Sequence, residues 1–167
     1  MNQQVIINVG VSGSGKTTWS SNFIDKTPYS IRINRDDLRR HFYGTLQGYY
    51  HHKALNGREK YITEIEELLF LNNLQEGNHI VIDNTNLKPS YIERWIQYVK
   101  AYNEMRGTTV EVKFKIFPEK NKQLLKERIN YRENSLTSVD YIDKQISSLP
   151  SAIAYVEDNY KTQIINE

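Results

Sequence analysis

Two short stretches of this chain carry residues whose types and spacing could do chemistry. The first, GVSGSGKT (Gly10 to Thr17), matches the pattern G-x-x-x-x-G-K-[ST]. Glycines let a backbone wrap so that consecutive N–H groups point at an anion, and a helix starting there adds its positive end. Gly13, Ser14, Gly15, Lys16, Thr17 and Thr18 are therefore the expected contacts to the phosphates of a nucleotide such as ATP. Lys16 is placed to reach the β- and γ-phosphates, and the Thr17 hydroxyl to ligate Mg²⁺. The pattern points to nucleotide binding and leaves the reaction open.

The second stretch is INRDDLRR, Ile33 to Arg40, with two adjacent aspartates among three arginines. On a solvated face these charges would neutralise one another, one aspartate capping a helix and the other pairing with Arg40. In a working site, a carboxylate beside a γ-phosphate takes the proton of an attacking hydroxyl, and an arginine clamps an acceptor phosphate with its planar fork. Asp36 and Arg39 share a helical face, but so do Asp37 and Arg40, and spacing alone does not choose between them. A shorter signal is HIVID, His79 to Asp83, an apolar strand ending in a carboxylate. Asp83 is placed there to hold magnesium through water; the following NTN leaves a plain turn as the alternative.

These groups need elements to position them. Val5–Val9, Ser30–Ile33, His79–Asp83 and Val110–Phe117 read as buried strands. Between them, Lys16–Lys26 puts Trp19 and Phe23 on one helical face. Lys60–Gln75 carries Ile62, Ile65, Leu68, Leu69 and Leu74, with Gly77 as a stop. Pro89 suits a first turn ahead of Ile92, Trp95, Ile96 and Val99, and Pro118 is expected to open a helix bearing Leu124, Leu125 and Ile129. Alternation of strand and helix predicts an α/β fold, a parallel sheet of about four strands with helices on both faces. Ligands of such folds bind at the strand ends.

At 167 residues the chain reads as a single domain, residues 1–167. With no cysteine it has no disulfide, thiolate metal site or cysteine nucleophile, which fits a cytoplasmic setting. MNQQ leads straight into an apolar strand without a basic flank, so no signal peptide is expected, and no stretch reaches the length of a membrane span. A net charge of +2 makes any nucleic-acid contact a matter of local clustering. Oligomeric state is not legible.

GVSGSGKTTW, INRDDLR and DNTNLKP, in that order, resemble the kinase domain of bacteriophage polynucleotide 5′-kinase and its bacterial relatives, a family with the three-layer P-loop kinase fold. The resemblance implies ATP as phosphate donor, Mg²⁺, and the 5′ ends of nucleic acid as acceptor, in a bacterial or phage-infected cell. It implies that Asp36 is the general base on the 5′-hydroxyl and that Arg39 binds the 3′-phosphate of the terminal nucleotide. A lid around residues 128–140 is implied too, with Arg128 and Arg132 contacting ATP phosphates and Arg132 acting in catalysis beside Lys16. The chain departs from the phage pattern in two ways. Asn84 stands where the phage carboxylate precedes Thr-Asn, with Asp83 one residue earlier as in D-x-T relatives, and the Asp-x-Asp-Gly-Thr motif does not occur in these residues, so no phosphatase domain is expected in them.

The acceptor is least legible. Residues 32–60 hold seven Lys or Arg against three acids, with His41, His51, His52, Phe42, Tyr43, Tyr49 and Tyr50 interleaved. Such a mixture suits single-stranded nucleic acid, or equally an exposed loop whose aromatics pack on the domain. His51 and His52 read as surface residues, for want of a third metal ligand. A P-loop kinase for a small-molecule or nucleoside hydroxyl, or for hydroxymethylated bases inside DNA, is the alternative, and a nucleotide-binding switch without an acceptor is the second.

Overall fold

Val5, Ile6, Ile7 and Val9 are wholly buried, a run that tolerates water on neither side. They lie in β1 (Gln4–Val9), one of two inner strands of a sheet whose order is β2-β3-β1-β4, all parallel, with β2 (Ser30–Ile33), β3 (His79–Ile82) and β4 (Glu111–Ile116). The computed structural model describes residues 2–45, 49, 55–118, 121–130 and 139–166. Among these, six helices alternate with the strands: α1 (Lys16–Lys26), α2 (Arg35–Tyr43), α3 (Leu55–Gln75), α4 (Pro89–Arg106), α5 (Lys122–Asn130) and α6 (Val139–Tyr160).

Alternation along the strands divides the core. Val5, Ile7, Val9, Ile80, Ile82 and Phe114 join Phe70 and Leu74 of α3, Trp95 and Val99 of α4, and Leu149, Ala152 and Val156 of α6 in one apolar body. Phe70 and Trp95 meet within it at a tilt of 48°, 4.8 Å between ring centroids. Asn8 turns the other way and donates to Ser20 of α1 at 2.8 Å, so α1 covers the opposite face. The three-layer P-loop kinase architecture expected from the sequence is therefore present.

Four details differ from expectation. α3 begins at Leu55, so residues 32–60 are not one exposed loop: β2 ends at Ile33, α2 spans Arg35–Tyr43 and residues 55–60 open α3. Gly57 lowers helix propensity there, but Arg58 and Glu59 make tertiary contacts that outweigh it. The buried stripe of α3 is Ile62, Glu66, Phe70 and Leu74, with Leu68 and Leu69 exposed, because a buried ion network replaces apolar packing at Glu66. Pro118 does not open a helix; α5 starts at Lys122, with the Asn121 side chain capping the Gln123 N–H at 2.8 Å. Finally, α6 has no counterpart among the expected elements, although Ile142, Ile146, Leu149, Ile153 and Val156 repeat at helical spacing.

Candidate active site

The C-terminal ends of β1, β3 and β2 lie side by side, and each feeds one of the three chemical segments. At about 4.8 Å per strand, the end of β2 sits about 10 Å from the end of β1, room for a phosphoryl group and an acceptor between them.

Beyond β1 the chain turns through Gly13 (φ +79°) and Gly15 (φ +104°) into α1. Left-handed backbone at both explains why glycine is required. At Gly10 the reason is space: a side-chain carbon there would lie 2.8 Å from the Cβ of Phe117. Gly15, as the cap of α1, offers no side chain to the first-turn N–H groups, and no acidic residue sits in that turn. Such a helix start keeps its donors for an external anion. Nothing lies within 4 Å of where a Gly15 side chain would project, so the cradle is open. Thr17 and Thr18 are exposed beside it, and buried Lys16 directs Nζ to the Val11 carbonyl at 2.7 Å. Ser14 is buried, its hydroxyl without a hydrogen-bond partner among the described residues.

α2 is capped, by contrast, from within. Asn34 accepts from the N–H groups of Asp36 and Asp37 at 3.0 and 3.1 Å, so the cap is the asparagine, not either aspartate. The same side chain donates to the Asp83 carbonyl, tying the start of α2 to the end of β3. Both aspartate–arginine pairs left open by spacing form: Arg39 meets Asp36 at 2.7 Å and Arg40 meets Asp37 at 2.9 Å. Their surroundings distinguish them. Arg39 is mostly enclosed and also forks onto Glu59, at 3.0 and 2.9 Å, whereas Arg40 and Asp37 are both about half exposed. Asp36 keeps 48% of its side chain accessible.

Glu59 was not singled out in the sequence, yet it organises this corner. It receives Arg39 and Arg35, and Tyr49 donates its hydroxyl at 2.8 Å. Burial pushes the Glu59 carboxyl up, but the hydrogen bonds and charge of Arg39, with Arg35 and Tyr49, prevail and hold it at about 2. Burial and the same carboxylate push the Tyr49 phenol up to about 12. Tyr49 is fully buried, with Arg39 over its ring and Tyr43 beside it, so this aromatic packs on the domain. Tyr50, His51 and His52 lie outside the described residues.

Asp83 is buried, and both its oxygens are engaged, by Asn8 at 3.1 Å and by Arg32 at 2.7 Å. Arg32 extends the chain of charge to Asp37. The exposed Thr17 hydroxyl would suit a magnesium ion brought with a nucleotide, and each Asp83 oxygen, accepting one hydrogen bond, would keep a lone pair for a metal-bound water. Among the described residues no group of three or more His, Cys, Asp or Glu could hold a metal ion.

The residues after Asp83 also do more than turn the chain. Asn84 accepts from the Arg35 N–H at 3.0 Å and donates to Glu66 at 2.6 Å. The Thr85 carbonyl accepts from the Gly10 N–H at 3.1 Å, and Asn86, at φ +48°, donates to the Asn8 carbonyl at 2.7 Å. The NTN block is thus a bracket between the cradle and α2. Fully buried Glu66 anchors it, bonded to Arg35 and Arg94 at 2.8 Å each. Its signal in the sequence is a glutamate on the apolar stripe of a helix. Arg128 of α5 reaches the Gly13 carbonyl at 3.2 Å; Arg132 and residues 131–138 of the expected lid lie outside the described residues.

Comparison with known proteins agrees with this arrangement. A family model described as an AAA domain matches residues 5–149. A putative bifunctional polynucleotide kinase/RNA ligase of Autographa californica nuclear polyhedrosis virus is 29% identical over 108 residues, 60% of this chain and 15% of that protein. The chain thus spans less than a fifth of the length of this curated relative. Among solved structures, a chain of the Pnkp1/Rnl/Hen1 RNA repair complex superposes with a TM-score of 0.67 at 23% identity, covering 91% of this chain and 45% of that one. Deoxyadenosine kinase from M. mycoides with bound dATP gives 0.56 at 15%, covering 98% and 89%. At these identities the two structures speak for the fold. Among the described residues no helix is long and apolar enough to cross a membrane.

Proposed function

This chain belongs to the AAA domain family, and from that premise we propose that it is an ATP-dependent phosphotransferase acting on a hydroxyl, with the 5′-hydroxyl end of DNA or RNA as acceptor. The observation that carries this reading is the Asp36–Arg39 pair, its carboxylate half open to solvent and its helix start tied by Asn34 to the strand beside the phosphate cradle. A nucleotide-binding switch has no use for a base and a phosphate clamp placed there. The viral relative, whose name includes a polynucleotide kinase, supports the choice of acceptor.

In this reading the α1 donors and Lys16 hold the β- and γ-phosphates, with Mg²⁺ on Thr17 supplying charge neutralisation when bound. Arg128 stands at the rim of the cradle, and Arg132 is assigned to the transferring phosphoryl group. Asp36 accepts the proton of the attacking hydroxyl. Arg39, oriented by Glu59 and the Tyr49 ring, offers an N–H edge to the acceptor's 3′-phosphate after Asp36 yields its place. The work is positioning and electrostatics.

One observation favours a second reading: Arg39 already donates to two carboxylates of its own chain, those of Asp36 and Glu59. An acceptor without a phosphate, a nucleoside hydroxyl, would leave that network intact. An acceptor series decides between them. With γ-labelled ATP, the proposal expects label on a 5′-hydroxyl oligonucleotide and little on a nucleoside, and Arg39→Ala to raise the acceptor KM about tenfold without moving that of ATP. Equal use of nucleoside and oligonucleotide, with Arg39→Ala silent, would support the nucleoside reading.

A further inference from the structure

Gln145 belongs to none of the segments marked for chemistry, yet its side chain is only 6% exposed and reaches the phosphate cradle from α6. Its Oε1 accepts the Ser12 N–H at 2.7 Å, across 133 residues of sequence. That N–H shares a peptide unit with the Val11 carbonyl, and the Val11 carbonyl accepts from Lys16 Nζ at 2.7 Å. In a planar trans peptide the N–H and C=O point opposite ways, so holding one aims the other.

We infer that Gln145 is a positioning residue for the nucleotide site, fixing the Val11–Ser12 peptide and, through it, the resting place of the Lys16 ammonium. A neutral amide suits the position. An apolar side chain of the same length would leave the Ser12 donor without its partner, free to rotate with its peptide, and the Val11 carbonyl would turn away from Lys16. The contact also ties the cradle to the helices on either side of residues 131–138. Arg128 of α5 holds the Gly13 carbonyl while Gln145 of α6 holds the Ser12 N–H, so two helices grip one loop at peptide units with a single unit between them. Leu125 and Ile129 of α5 pack close to Gly13 from the same side.

The role rests on the phosphotransferase reading only in giving Lys16 its task at the β- and γ-phosphates. Its test therefore uses nucleotide binding and a backbone signal rather than turnover. Wild type, Gln145→Met and Gln145→Glu are compared by calorimetric titration with Mg·ATP and by hydrogen exchange of the Ser12 amide. Met matches the length without an acceptor; Glu keeps the acceptor. Expected are faster Ser12 exchange and about tenfold weaker ATP binding in Gln145→Met, the consequence of one unsatisfied donor. Its melting temperature should fall by no more than about 4 °C, and Gln145→Glu should restore Ser12 protection. Unchanged ATP affinity in Gln145→Met, or Ser12 exchange as fast in Gln145→Glu as in Gln145→Met, would overturn the inference. Wild type that binds no nucleotide would sink the phosphotransferase reading itself, and the exchange comparison would still decide whether Gln145 holds the peptide.

Discussion

Asp36 and Asp37 are neighbours with the same kind of partner, and only their surroundings separate them. Arg39 is enclosed and braced by Glu59, while Arg40 stands at the surface, where an ion pair contributes little. Glu59 therefore does for Arg39 what spacing could not reveal. Its carboxyl is ordinarily near 4.5 and is held at about 2 in the folded protein. A lowered folded value stabilises the fold above the unfolded value, and that contribution disappears as pH falls from about 4.5 towards 2. Glu59→Gln should accordingly melt lower than wild type at pH 7, and the difference should shrink through that acid window. Melting curves from pH 7 to 2.5 check this; a constant offset would show that Glu59 has no lowered pKa. The residue escaped the sequence reading because its partners, Arg35 and Arg39, lie 24 and 20 positions away.

At the scale of elements, the strands and the cradle were legible because local rules dictate them: buried apolar runs, glycines at positive φ, Pro89 at a helix start. What was hidden depends on tertiary contact. The start of α3 carries Gly57 and charged residues and becomes a helix edge through Glu59 and Arg58. The NTN block looked like a turn, and it is one, but its amides also brace the cradle and α2. Glu66 sits beneath that bracket with no exposure, balanced by two arginines. Removing one side of a buried ion network costs far more than the network adds, because the remaining charges lose their partner. Glu66→Ala should destabilise the protein by about 3 kcal/mol, read by urea denaturation. A change below about 0.5 kcal/mol, the scale of an ordinary surface substitution, would mean that the bracket is not held from below.

The whole molecule brings together segments separated by more than a hundred residues. Parallel order β2-β3-β1-β4 sets three strand ends in a row, and α5 and α6 return the chain to the first loop it made. A parallel sheet could be anticipated from alternating strands and helices, though not the order of its strands, and the three motifs from their residues. The return of α6 could not, since Gln145 has no motif and its contact is 133 residues away. The same architecture serves several acceptors, so the function hangs on the site rather than on the fold. The direct measurement is transfer of label from γ-labelled ATP with magnesium to a short 5′-hydroxyl oligonucleotide, comparing wild type with Asp36→Asn, each also titrated with ATP. Expected are label at the 5′ end for wild type, a loss of at least about a hundredfold in the variant, and the same ATP affinity in both. Full transfer by Asp36→Asn, or tight ATP binding by wild type with no labelled end, would contradict the proposed function.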